Sequence, residues 1–183
     1  MYLKFFTFLI VLTNLFADAS IRPISTYSIV AYDEKTGQLG VAVQSHWFSV
    51  GTVVPWAKAG VGAVATQSIA EPSYGPKGLA LMEQGIPADE VLQSLLAKDS
   101  GESVRQIGMV DANGNVGAHT GARCIRYAGH KIGKHYSVQA NIMEKPTVPN
   151  AMSKAFENAK GDLAERMLVA LEAAEKEVIP AIT

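Results

Sequence analysis

Thr26 to Gln67 reads TYSIVAYDEKTGQLGVAVQSHWFSVGTVVPWAKAGVGAVATQ, and the spacing of its apolar residues decides the fold. Tyr27 to Tyr32 carries β-branched and aromatic residues, Asp33-Glu34-Lys35-Thr36-Gly37 supplies turn chemistry, and Leu39 to Val43 resumes the strand. A hairpin is expected there. Ser49 to Val54 and Gly60 to Thr66 are read as a third and a fourth strand, near-continuously apolar as in strands covered on both faces. Lys58, in Pro55-Trp56-Ala57-Lys58-Ala59-Gly60, then falls between two apolar strands.

Outward from this core the period changes. Leu79 to Met82 reads as a helix closed by Gly85, and Pro87-Ala88-Asp89-Glu90 opens a second with Val91, Leu92, Leu95 and Leu96 at helical spacing. Ile107 to Val110 and Val116 to His119 flank Asp111-Ala112-Asn113-Gly114-Asn115, and Asn-Gly is a strong hairpin signal. Tyr136 to Ile142 is a further strand. Ala151 to Asn158 and Leu163 to Glu177 close the chain as helices, the last with Leu163, Met167, Leu168 and Leu171 on one face. Runs of strands followed by runs of helices predict an α+β fold.

Before this domain, Met1 to Ala19 has the form of a secretory signal. Lys4 precedes an apolar run from Phe5 to Phe16, and Ala17 and Ala19 flank Asp18. The expectation is an exported protein, periplasmic or extracellular, with residues 20–183 as a single domain and no membrane partner once the signal is removed. Lys+Arg 16 against Asp+Glu 17 gives a net charge of −1 and no basic stripe for a phosphate backbone, so no nucleic-acid partner is expected. Cys124 is alone and is read as a small buried apolar residue.

Chemistry is sought at the strand ends. A Thr hydroxyl is a weak nucleophile without a base, and a Thr at a chain terminus carries one in its own α-amine. Thr26 qualifies only after a cut between Ser25 and Thr26; otherwise it is a β-branched residue opening a strand. Lys58 is read either as a charge that lowers a neighbour's pKa or as a snorkelling turn lysine. Thr66-Gln67-Ser68 and Gln139-Ala140-Asn141 put polar groups at strand ends, Gln67 as a donor for an oxyanion and Asn141 to orient an amine or a substrate carbonyl. Ser45 and His46 are adjacent in a strand and so point to opposite faces. His46, His119, His130 and His135 lack His-Glu-x-x-His spacing, and Gly60-Val61-Gly62-Ala63-Val64-Ala65 lies in a strand-like run where no helix starts. Neither a metal nor a cofactor is expected.

The phrases TYSIVAYD at Thr26, GQLGVAVQS at Gly37, VGTVVPWAKAGVGAVATQ at Val50, YGPKGLALM at Tyr74, VRQIGMVDANGNVGAHTG at Val104 and YSVQANI at Tyr136 occur in order. In them the chain resembles the domain-of-unknown-function family 1028, which is similar to the N-terminal-nucleophile (Ntn) hydrolases. The resemblance implies a four-layer αββα sandwich, with Thr26 at the nucleophile position, Lys58 near its positive charge, and Gln67 and Asn141 lining the cleft. It also implies an amidohydrolase acting on a small-molecule or peptide amide, with a non-catalytic binding or assembly module as the alternative on the same scaffold. The chain departs from the family in its N-terminal segment and in ending at Thr183, where members continue into further strands. Without those last strands, an exposed sheet edge or a homo-oligomer is expected.

Overall fold

The computed structural model describes residues 24–178, and the signal expected at Met1 to Ala19 lies outside them. Within the described residues the fold is α+β, with two four-stranded antiparallel sheets and four helices. The first sheet has the order β2-β1-β8-β7, from β1 (Thr26–Asp33), β2 (Gln38–Ser45), β7 (Gly129–Gly133) and β8 (Tyr136–Asn141). The second has the order β3-β4-β5-β6, from β3 (Pro55–Lys58), β4 (Gly62–Ser68), β5 (Arg105–Asp111) and β6 (Val116–Thr120).

Alternation along each central strand divides its side chains between two environments. Tyr27, Ile29 and Ala31 of β1 and Tyr136, Val138 and Ala140 of β8 pack under α3 (Val148–Asn158) and α4 (Leu163–Val178). Val64 of β4 with Ile107 and Met109 of β5 packs under α1 (Tyr74–Met82) and α2 (Ala88–Leu96). The opposite faces of the two sheets meet each other, through Val30, Ala63, Ala65 and Val110. Each central strand is therefore covered on both sides, which is why its residues read as a nearly unbroken apolar run.

Local chemistry fixes the turns. Asp33 accepts from the Lys35 amide at 2.9 Å in the first hairpin, and Gly37 takes a φ of +72°. In the β5–β6 hairpin the Asp111 carboxylate accepts from the Asn113 and Asn115 amides, and it also takes the Ala88 amide at the start of α2. Asp162 and Glu165 exchange hydrogen bonds at the start of α4 in a capping box.

Three expectations need correction, and one strand has no counterpart in the sequence pattern. The third strand is Pro55–Lys58, whereas Ser49 to Val54 contains a 3-10 turn preceded by Ser49 at a φ of 55°. Proline is tolerated at Pro55 because it opens an edge strand. The β7 strand has only five residues, two of them glycine, and an exposed face, so it carries no apolar signal. The buried stripe of α4 is Leu163, Met167, Ala170 and Ala174, and Leu168 is 56% exposed, one residue off the stripe. Cys124 is half-buried, its thiol 3.2 Å from the Arg105 carbonyl. No described helix is long and apolar enough to cross a membrane.

Candidate functional site

The start of β1 and the ends of β2, β4 and β8 converge at one end of the facing sheets. Thr26 stands opposite Ser45 in β2 and opposite Asn141 in β8. Residues opposite one another in an antiparallel pair share a face, so all three side chains point between the sheets. The Thr26 hydroxyl is 2.8 Å from that of Ser45, which also accepts the Trp47 amide at 3.0 Å. Ser45 thus fixes the Thr26 rotor. Across this group opens a cleft of about 410 Å³, lined by Thr26, Gln67, Ser68 and Asn141 and walled by apolar side chains, with no charged residue in its lining.

Behind the polar end of the cleft runs a buried hydrogen-bond chain with one direction. Ser137 donates to Gln139, Gln139 to Ser28, Ser28 to Gln67, and Gln67 to Gln106. Gln106 then donates to the carbonyls of Ala140 and Gly129 and to Thr120. Asn141 joins from the side, its Nδ2 donating to Gln106 Oε1 at 2.9 Å. Gly108 makes room for this chain, since a Cβ there would lie 2.6 Å from Gln139 Oε1.

The residues expected at the site separate on this geometry. Thr26, Gln67 and Asn141 are together at the cleft. Gln67 lines it, yet its Oε1 is taken by Ser28 and its Nε2 faces Gln106 and the Gln139 carbonyl, so it does not offer a donor to an oxyanion. Lys58 is elsewhere. It pairs with Gly62 at the opposite end of β4 from Gln67, roughly 16 Å away at strand rise, and its ammonium is 2.6 Å from Glu83 in a half-exposed ion pair. The resemblance implies a lysine charge near Thr26, but as the last residue of an edge strand Lys58 is carried away from the cleft.

Ser25 is fully buried, its carbonyl accepting the His46 amide at 3.0 Å and its hydroxyl donating to the Ile142 carbonyl at 2.9 Å. Ser45 and His46 do face opposite ways. The His46 ring lies 3.9 Å from Glu175 of α4, which also accepts the Tyr27 hydroxyl. Burial first, and then that carboxylate, push the Tyr27 phenol far above its ordinary range. This cluster is separated from Thr26 by the sheet.

The rim of the cleft is built from exposed apolar residues. Trp47 and Phe48 are 63% and 91% exposed, and Ile24, Ile69 and Ile125 are also exposed at the rim. Three of the four described non-glycine residues with positive φ, Ser49, Ser68 and Ile142, line this one cleft. A β-branched residue such as Ile142 at a φ of 57° is held there against its preference, and such strain gathers at functional sites. The rim is braced from below: Asp99 accepts from Arg105 Nε at 2.8 Å, and Arg105 donates to the Ile69 carbonyl at 2.7 Å. Arg105 holds the Asp99 carboxyl below the usual aspartate range. Solitary apolar residues in loops give no local signal that they will share one wall.

The family model described as a family of unknown function, DUF1028, matches residues 26–177. Its match begins at Thr26. Among solved structures, the chain resembles the crystal structure of protein SPO2555 from Silicibacter pomeroyi, of the same family, with a TM-score of 0.79 and 28% identity over 83% of this chain and 70% of that one. No curated protein matches the sequence.

Proposed function

The chain belongs to the DUF1028 family, and from that premise we propose that it is an exported amidohydrolase of the Ntn type, with Thr26 as nucleophile. Facing sheets, each backed by two helices, fit the four-layer αββα sandwich that this reading requires. The observation that carries the proposal is the Thr26 hydroxyl, set on the first residue of a central strand, oriented by Ser45 and lining an uncharged cleft.

With the Ser25–Thr26 bond cut, the new α-amine takes the proton of the Thr26 hydroxyl as its oxygen bonds to the amide carbonyl carbon. Collapse of the tetrahedral intermediate breaks the C–N bond, and the amine leaves with that proton. Water then hydrolyses the acyl ester and restores Thr26. An α-amine has a reference pKa of about 7.7–8.0, within reach of this task at neutral pH. Ser68 supplies the hydroxyl nearest in role to an oxyanion donor, since it lines the cleft and Gln67 is occupied. Export rests on the signal-like pattern of Met1 to Ala19.

A second reading, a binding or assembly module without catalysis, is favoured by one specific observation: the Ser25 backbone and side chain are buried and bonded, which resists a cut beside them. Intact mass and N-terminal sequencing of protein recovered from its own host decide between the two. The hydrolase reading expects a chain beginning at Thr26, with Thr26→Ala left uncut or inactive on amides. A homogeneous chain that retains Ser25 selects the binding module.

A further inference from the structure

We infer that the cleft takes an uncharged secondary amide with an apolar alkyl or aryl body, and that Asn141 Oδ1 is the acceptor that reads the amide N–H. As a statement about substrate class it rests on the hydrolase reading, while the geometry behind it concerns binding alone.

The orientation of the Asn141 amide follows from its neighbours. Backbone carbonyls only accept, so the two that face Gln106, Ala140 O at 2.9 Å and Gly129 O at 3.1 Å, oblige that side chain to present Nε2 to them. Its Oε1 is thereby turned toward Gln67 Nε2 at 2.7 Å and Asn141 Nδ2 at 2.9 Å. Flipping Asn141 would set two oxygens against each other. Oδ1 is therefore the atom left over, and it is buried with no hydrogen-bond partner, on a residue that is 1% exposed and lines the cleft. Buried polar atoms are normally satisfied, and the space beside Asn141 that a partner can enter is the cleft this residue lines.

An acceptor at this point requires a donor in the ligand. A carboxylate would meet Oδ1 with like polarity, and an ammonium would lose its hydration without a counter-charge, because no charged side chain lines the cleft. The walls add the second requirement: Trp47, Phe48, Ile69 and Ile125 offer exposed apolar surface around about 410 Å³, a volume in the range of small-molecule sites. An N–H beside an apolar body satisfies both. Because Thr26 and Asn141 are paired across strands, the carbonyl of an amide so held lies beside the Thr26 hydroxyl.

The test uses the full chain carrying Thr26→Ala, so that binding is measured without turnover. Calorimetric titration compares N-methyl-4-phenylbutanamide with its methyl ester counterpart, methyl 4-phenylbutanoate, and with the 4-phenylbutanoate anion. The amide is expected to bind about tenfold more tightly than the ester, which differs by NH replaced with O, and the anion not measurably. Asn141→Leu in the same background is expected to erase the amide preference while ester binding persists. Equal affinity for amide and ester, tighter binding of the anion, or no binding of the amide up to its solubility overturns the inference. If Asn141→Leu fails to fold, the amide–ester comparison at unaltered Asn141 still decides. A preference for the amide in a protein that never exposes Thr26 removes the hydrolase reading alone; a processed, active protein without the preference removes this inference alone.

Discussion

The layer between the two sheets has two halves built on opposite principles. Toward β2 and the far end of β1 it is apolar, with Val30, Ala63, Ala65 and Val110 packed against Tyr32, Leu39, Val41 and Val43. Toward β8 and the cleft it is polar, with Ser28, Gln67, Gln106, Ser137, Gln139 and Asn141 all buried. The apolar half needs only volume. The polar half needs each donor matched to an acceptor, because a buried unpaired group costs about 1–3 kcal/mol. The difference teaches why the cleft is where it is: the strands are held together at that end by directed bonds, which leave one buried acceptor unpaired on a residue that lines the cleft.

The comparison breaks most severely at Gln106, the hub on which two side-chain donors and two backbone carbonyls converge. Gln106→Leu is expected to lower stability by about 4 kcal/mol in chemical denaturation. Val30→Ala in the apolar half removes packing alone and is expected to cost about 2 kcal/mol. Equal losses would mean that the polar chain acts as ordinary filling.

Gly108→Ala sharpens the same contrast, because the added methyl intrudes on Gln139 and Ser137. A loss of about 2 kcal/mol from overpacking is expected, in the same denaturation assay. A neutral outcome would show that the polar chain yields easily and does not fix the orientation of its amides.

The smallest effect concerns the brace beneath the cleft. Asp99 has its folded pKa depressed by Arg105, so its contribution is present above the ordinary aspartate value of about 3.9 and is lost as pH falls through the lower folded value. Wild type is expected to exceed Asp99→Asn by about 1.5 kcal/mol at pH 6, with the gap closing below about pH 3.9. A gap independent of pH would assign the effect to packing around Tyr74, whose hydroxyl also donates to Asp99.

Strand and helix positions were largely legible because their signals are local. The Asp33 to Gly37 and Asp111 to Asn115 turns announce their hairpins, and Pro87-Ala88-Asp89-Glu90 announces α2. The misreadings have equally local causes. Ser49 to Val54 is rich in β-branched residues and is bent by the left-handed Ser49, while the Gly129–Gly133 strand exists only because β8 offers it an edge. Thr26, Gln67 and Asn141 were picked out as polar strand ends, but polarity at a strand end does not say which ends meet. Lys58 stands out in the sequence as a lone lysine between apolar strands, yet it belongs to the other end of its sheet.

By itself the sequence determined that this chain forms strands buried on both faces, where its hairpins turn, and that a threonine opens the first strand, since each follows from residues within a few positions of one another. Tertiary structure alone decided that residues 26 and 141 lie opposite each other, that residue 58 lies far from both, and that Asn141, at the cleft, keeps a buried oxygen without a hydrogen-bond partner. The physical reason is that the Asn141 amide on one sheet is oriented by the Gln106 oxygen on the other, to which it donates, and no local pattern carries that constraint across the distance.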